Sequence, residues 1–253
     1  MNKLSILIPS FNSEKTIRDT LESVKWADEI LVCDSYSTDR TLEIAKEYGA
    51  RIIQHEYVNS ATQKNWAIPQ CKYDWVLIVD TDEALEPGLR EEIQERLEKD
   101  TPSVDGYLIP RKNFIYGRWM KYGGIYPDHQ LRLFRRGKGR YETREVHAHL
   151  FVPGKVEALK HHLLHQGFKD LKTWMIKFER YMGYETDELV KQRKKFNLLR
   201  VTLYPLLTFL KTYFLKLGIL EGYRGFLLAV LDGFYYFMMY AKLFERERMG
   251  KPD

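Results

Sequence analysis

The sequence is poor in cysteine. Cys33 and Cys71 are the two, far apart and each in apolar surroundings. They make neither a disulfide framework nor a zinc ligand set, which points to a reducing cytoplasm. There is no low-complexity tract and no internal repeat. No signal-peptide core precedes the first apolar stretch, Leu4 to Ile8, so export is not expected. Uncharged runs of membrane-spanning length are missing as well. Val201–Leu210, Gly225–Leu231 and Gly233–Ala241 are interrupted or bounded by Lys211, Lys216, Arg224 and Asp232, and each falls short of the roughly 20 residues a spanning helix needs. Nor does a Gly-rich, Lys- or Arg-bearing loop follow the first stretch, where Pro9-Ser10-Phe11-Asn12-Ser13 stands instead. That argues against nucleotidyl transfer.

What is present suits a folded chain. The 253 residues are 44% hydrophobic and 30% charged, enough to bury a real core. The net charge of +5 is unevenly spread: residues 1–110 carry 12 basic and 21 acidic side chains, residues 111–160 carry 12 and 4, and residues 161–253 carry 16 and 10. The cationic middle suggests an anionic ligand. Its basic residues do not interleave with aromatics in an RNA-binding pattern, so no nucleic-acid partner is expected.

The first hundred residues alternate between strand and helix. Leu4 to Ile8, Glu29 to Cys33, Arg51 to Gln54 and Trp75 to Val79 read as strands; helices are expected from a Ser13 cap to Val24, from Ser37-Thr38-Asp39 to Tyr48, over 60–68, and after Pro87. Such alternation implies a mostly parallel, Rossmann-like sheet with helices on both sides. Further on, Asp105 to Pro110 and Gln130 to Phe134 read as strands. Phe168, Leu171, Met175, Phe178 and Met182 mark an amphipathic helix ending in the basic run Lys191 to Lys195. Two aromatic, apolar segments follow, 198–218 and 223–244. They suit helices lying in a membrane interface, or a helical hairpin packed on the rest of the protein.

In an open parallel sheet, ligands bind beyond the carboxyl ends of the strands. Pro9-Ser10-Phe11-Asn12 follows strand one, Asp34 ends strand two, and Asp80-Thr81-Asp82-Glu83 ends strand four. Phe11 offers an aromatic face. Asp34 can accept from a ribose or base, or can instead order a turn. Asp80 and Asp82, one residue apart on an extended chain, point to the same side. They can reach one Mg²⁺ or Mn²⁺, ions that share carboxylates with substrate phosphates. The other reading is an acidic turn, with Glu83 and Glu86 favouring a helix N-terminus.

Taken together, Pro9-x-Phe11-Asn12-x-Glu14, Asp34-Ser35-Tyr36-Ser37-Thr38-Asp39-Arg40-Thr41, Lys64-Asn65-x-Ala67 and Asp80-x-Asp82 resemble glycosyltransferase family 2. The resemblance implies a GT-A fold, transfer with inversion, and a UDP-sugar donor. It places Pro9, Phe11, Glu14, Asp34, Lys64 and Asp80 around the nucleotide, with Asp34 on the base, and Asp80 and Asp82 on a metal that holds the diphosphate. His147 or His165 would complete the metal site.

An inverting transferase needs a base for the acceptor hydroxyl. The family often takes it from Glu-Asp-x-x-Leu, which Pro127-Asp128-His129-Gln130-Leu131 matches except for proline in place of glutamate. Asp128 is the candidate, with a turn residue as the other reading. Arg132, Arg135 and Arg136 could grip the diphosphate or an acceptor phosphate; strict alternation would put Arg132 on one face with Gln130 and Phe134. The stretch Tyr126 to Arg136, followed by Glu145-Val146-His147, is similar to small family-2 enzymes that add glucose to the heptose region of lipopolysaccharide core. That similarity implies an anionic glycolipid acceptor and a peripheral protein on an anionic membrane, at the cytoplasmic face of the inner membrane. Three segments are expected: 1–110 for the nucleotide sugar, 111–196 for the acceptor and base, and 197–253 for the membrane. A non-catalytic membrane adaptor and a transferase to polyprenyl phosphate are the alternatives.

Overall fold

A computed structural model describes residues 2–99, 103–142, 149–168 and 170–249. The chain forms two compact units, Met1–Lys112 with Asp128–Gln166, and Asn113–Pro127 with Gly167–Asp253.

The first unit begins with apolar runs that bury both faces, as parallel strands must. β1 (Leu4–Ser10), α1 (Ile17–Val24), β2 (Glu29–Asp34), α2 (Thr41–Glu47), β3 (Arg51–Gln54), α3 (Ser60–Ala67) and β4 (Trp75–Ile78) follow in turn. The strands pair in parallel in the order β3-β2-β1-β4. Leu4, Ile6 and Ile8 join one core layer and Leu7 the other, the two-residue period of a strand. Burial pushes the thiols of Cys33 and Cys71 up to about 11 and about 12, so both stay protonated and inert. The helix expected from Ser13 starts at Ile17, because Ser13 belongs to a loop described below.

β5 (Glu83–Leu85), α4 (Pro87–Lys99), β6 (Val104–Ile115), β7 (Arg118–Trp119) and β8 (Asp128–Arg135) come next. β8 runs antiparallel between β4 and β6. Here Tyr107 faces Leu133 and Leu108 faces Leu131, so Arg132 is the extra residue of a β-bulge. Alternation breaks at that point: Leu131 packs in the layer of Phe134, and Leu133 in the opposite one. The expected face-sharing along 130–134 is therefore lost. β9 (Arg140–Tyr141) and β10 (Leu150–Phe151) form a separate small sheet; β11 (Lys155–Ala158) pairs with β6, and β12 (Leu163–Phe168) with β5.

The second unit holds α5 (Leu171–Lys191), α6 (Leu198–Leu210) and α7 (Tyr223–Met249). Asp170 caps α5, accepting from Thr173 N, so the helix begins later and runs further than the apolar spacing alone suggests. α6 continues through one π-helical stretch, Lys211–Leu215, and a 3₁₀ turn, Gly218–Glu221, before α7 returns. The two helices cross tightly at Gly233, where a Cβ would lie 2.8 Å from the Pro205 carbonyl oxygen. α7 also packs on α5, Phe178 stacking on Phe234 with ring centroids 5.7 Å apart. α6 buries none of its residues. When a few charges are tolerated, Leu198–Leu215 and Tyr223–Met249 are long and apolar enough to cross a membrane by length and composition, although their uncharged runs are short.

Candidate active site

The β1–β2 register sets Ser10 beside Asp34. Asp34 is fully buried. It accepts from Ser10 Oγ at 3.0 Å, Ser37 N at 2.8 Å, Ser37 Oγ at 2.5 Å and Gln54 Nε2 at 3.3 Å. Four donors occupy both oxygens, so in this conformation Asp34 orders the turn. The loops after β1 and β2 then knit together. Asn12 N donates to Ser37 Oγ, Thr38 N to Asn12 Oδ1, Ser13 N to Thr41 Oγ1, Glu14 N to Asp39 Oδ2 and Arg40 N to Glu14 Oε2, over 2.7–3.2 Å. This explains the spacing of the two motifs: each supplies the other's hydrogen bonds. It also shows why Glu14 faces backbone. Pro9 is half-buried, whereas Phe11 (58% exposed) and Tyr36 (56%) stand out at the rim. Asn12 and Tyr36 hold positive φ, +44° and +60°, a backbone strain that clusters at ligand sites. Tyr36 is thus a second exposed aromatic at the rim, and the sequence reading did not single it out.

A second cluster lies beyond β4. Lys64, buried on α3, places Nζ 3.0 Å from Asp80 Oδ1, and Arg132 NH2 lies 2.7 Å from Asp80 Oδ2 and 3.1 Å from Glu83 Oε1. Arg111 on β6 extends the chain, 3.1 Å from Glu83 Oε1 and 2.7 Å from Asp128 Oδ2. Gln130 Nε2 donates to Asp128 Oδ1 at 2.5 Å. Burial alone would raise the Asp80 carboxyl, but the Arg132 guanidinium and Lys64 ammonium outweigh it and hold it well below the usual carboxylate range. Burial likewise opposes charge on Lys64, Arg111 and Arg132, and in each the neighbouring carboxylates prevail and raise the cation's pKa. Asn65 has a structural part, bonding both the N–H and C=O of Tyr141. Arg132 Nε, deep in the cluster, has no hydrogen-bond partner among the described residues.

Asp82 lies beside His165, with Nε2 3.6 Å from its Oδ2, and Gln166 N donates to its backbone oxygen. Pairing of β12 with β5, which sets His165 opposite Glu83, brings them together. Among the described residues no group of three or more His, Cys, Asp or Glu is arranged for a metal. Mg²⁺ and Mn²⁺ need fewer, because substrate phosphates and waters fill the remaining positions. Asp82 and His165 fit that demand. Asp80 fits less well, since each of its oxygens faces a cation. His147 lies outside the described residues.

Arg135 and Arg136 are not brought to this cluster. Antiparallel pairing sets Arg135 opposite Trp75, at the far end of β4 from Asp80. There Arg135 binds Asp74 at 3.1 Å and stacks over Trp75, and Arg136 donates to the Cys71 carbonyl. Both hold strand ends. Glu83 and Arg111, by contrast, were not singled out for the site. The sequence offers Glu83 as an acidic residue before a helix N-terminus, yet it sits on a strand, is fully buried, and accepts from the Asp80 N–H at 3.0 Å. The signal available was a third carboxylate directly after Asp-x-Asp.

Residues 5–160 match the glycosyl transferase family 2 profile. The lipopolysaccharide core biosynthesis glycosyltransferase LpsC of Rhizobium meliloti (strain 1021) is 30% identical over 99% of this chain and 95% of its own. An uncharacterised glycosyltransferase of Rickettsia typhi is 29% identical over 97% and 88%. Among solved structures, the TarS 1-349 fragment of Staphylococcus aureus in complex with UDP-GlcNAc superposes with a TM-score of 0.51, at 16% identity, covering 98% of this chain and 92% of that one. The sheet, the two-loop rim and the matched profile agree: the chain belongs to glycosyl transferase family 2, a glycosyltransferase with a GT-A-like fold.

Proposed function

We propose that the protein moves a hexose, glucose in the first instance, from a UDP-sugar to an anionic glycolipid at a membrane, the acceptor being lipopolysaccharide inner core. One observation carries this reading: the alternating chain Lys64–Asp80–Arg132–Glu83–Arg111–Asp128 at the carboxyl edge of the sheet. Its cations can meet a departing diphosphate. Asp128 at its end can take the acceptor proton. Phe11 and Tyr36 suit the base. Likeness to LpsC supports the lipopolysaccharide acceptor, and the UDP-GlcNAc held by TarS supports a UDP donor. Residues 1–110 would serve the nucleotide sugar, 111–196 the acceptor, and 197–253 the membrane.

Mg²⁺ or Mn²⁺ would be held by Asp82 and His165 and would neutralise charge on the leaving diphosphate. Asp82→Asn should weaken Mn²⁺ binding in the presence of UDP at least about tenfold, read by calorimetry; unchanged binding would move the metal elsewhere. The function itself is tested by UDP release from UDP-glucose and by transfer to heptose-terminated lipopolysaccharide. An adaptor releases no UDP, and a polyprenyl-phosphate transferase glycosylates that lipid instead.

The exposed face of α6 supports a peripheral attachment at the cytoplasmic side of the inner membrane. Leu198, Leu199, Leu206 and Leu207 all lie open to solvent, an exposed apolar face of the kind that marks a contact surface. The protein should sediment with phosphatidylglycerol vesicles. Leu206→Glu with Leu207→Glu should weaken that partition at least about tenfold. Salt should weaken it only in part, because apolar burial is not screened. A double variant that still sediments like the wild type would reject α6 as the contact.

A further inference from the structure

The turn between α6 and α7 does two things at once. Its outward side is apolar: Leu215 (81% exposed), Ile219, Leu220 and Tyr223 all face solvent. Its inward side grips the loop 113–127, the segment that leads directly into Asp128. Glu221 is buried, and its Oε1 accepts from Lys121 N at 2.7 Å and Tyr122 N at 3.0 Å. Gly123 N donates to the Lys216 carbonyl at 2.8 Å, and Arg224 donates to the carbonyls of Ile115 and Tyr116 at 3.2 and 3.4 Å. The loop and turn touch where a Cβ on Gly124 would lie 2.3 Å from the Lys216 stem, and the turn itself is tight, since a Cβ on Gly225 would strike the Gly218 carbonyl.

The loop is built for such a fixed position. Phe114 pairs with Trp119 and Ile115 with Arg118. The two residues between, Tyr116 and Gly117, both have positive φ, +47° and +70°, as a tight two-residue hairpin requires. Asn113 Nδ2 donates to the Ile125 carbonyl at 3.1 Å, closing the loop's base, and Met120 is fully buried. Between these internal ties, the N–H groups of Lys121 and Tyr122 bond to Glu221. A buried carboxylate that two backbone N–H groups require is costly to remove.

We propose that Glu221 is a positioning residue: it fixes loop 113–127, the segment joined directly to Asp128, to the same turn that meets the lipid. This rests on the proposed transfer to a membrane acceptor and adds to it. Because the turn is tied to this polar loop, the hairpin lies along the membrane surface and does not cross it. Attachment and acceptor geometry are then set by one element.

The test uses full-length protein, with phosphatidylglycerol vesicles carrying heptose-terminated lipopolysaccharide and UDP-glucose as donor. Glu221→Ala should speed hydrogen exchange of the Lys121 and Tyr122 amides at least tenfold and leave exchange in β1 and β4 unchanged. Transfer should fall at least tenfold, with KM for the acceptor raised, while acceptor-free UDP release and vesicle sedimentation stay within twofold. Glu221→Gln keeps a carbonyl oxygen for both N–H groups and should recover most of the transfer. Where the alanine variant does not fold, Glu221→Asp, one methylene too short to reach both N–H groups, takes its place. Unchanged exchange at 121–122 in the alanine or aspartate variant, or UDP release falling in step with transfer, would overturn the proposal. A wild type that transfers nothing to this acceptor would instead reject the proposed function; the exchange result would still stand or fall alone.

Discussion

Asp128→Asn lowers turnover by about 10²–10⁴ while donor affinity stays within about twofold; this is the result expected if Asp128 takes the acceptor proton. Asparagine keeps the size and one oxygen but cannot accept a proton. The fold should tolerate it. Arg111 lies opposite Asp128 in the β6–β8 pairing and loses one anionic partner, yet keeps Glu83 at 3.1 Å. Gln130 and Arg111 hold the carboxylate in one orientation, 2.5–2.8 Å away. Transfer kinetics with UDP calorimetry separate the two roles. Surviving turnover with collapsed donor affinity would place Asp128 in the nucleotide site.

Arg132→Met should cost about 3–5 kcal/mol in urea unfolding at pH 7, the range for breaking a buried ion pair from one side. Methionine keeps the aliphatic stem but leaves Asp80 short of one cation and Glu83 with Arg111 as its one cation. The cost should depend on pH. Asp80 has a folded pKa below its unfolded value near 3.9. Its contribution is therefore complete above about pH 4 and is lost as pH falls through the folded value. The gap between wild type and variant should narrow below pH 4. Equal urea midpoints at pH 7, or a gap that widens towards pH 3, would contradict the assignment.

Legibility followed the range of the forces involved. The parallel strands could be read because each is an apolar run closed by Pro, Asp or Gln, and their neighbours in space are near in sequence. β5 could not: three residues, Glu83–Leu85, owe their strand to β12, about 80 positions on. β6 runs beyond the expected Pro110 to Ile115, because the polar Arg111 finds Glu83 and Asp128 as partners across the sheet. The helical hairpin was visible from composition, and its grip on loop 113–127 was not, since Glu221 and Lys121 are 100 residues apart.

By itself the sequence determined which side chains stand at the strand ends. Asp34, Asp80 and Asp82 follow directly from where apolar runs stop, and a strand has to present its next residues at the rim. The tertiary structure decided what those side chains face. The bulge at Arg132 turned that guanidinium onto Asp80, antiparallel register sent Arg135 to the opposite end of β4, and the flanking strands β1 and β3, with its own turn, filled both oxygens of Asp34. Strand ends depend on local burial. Charge partners depend on register, and register is set only when distant strands pair.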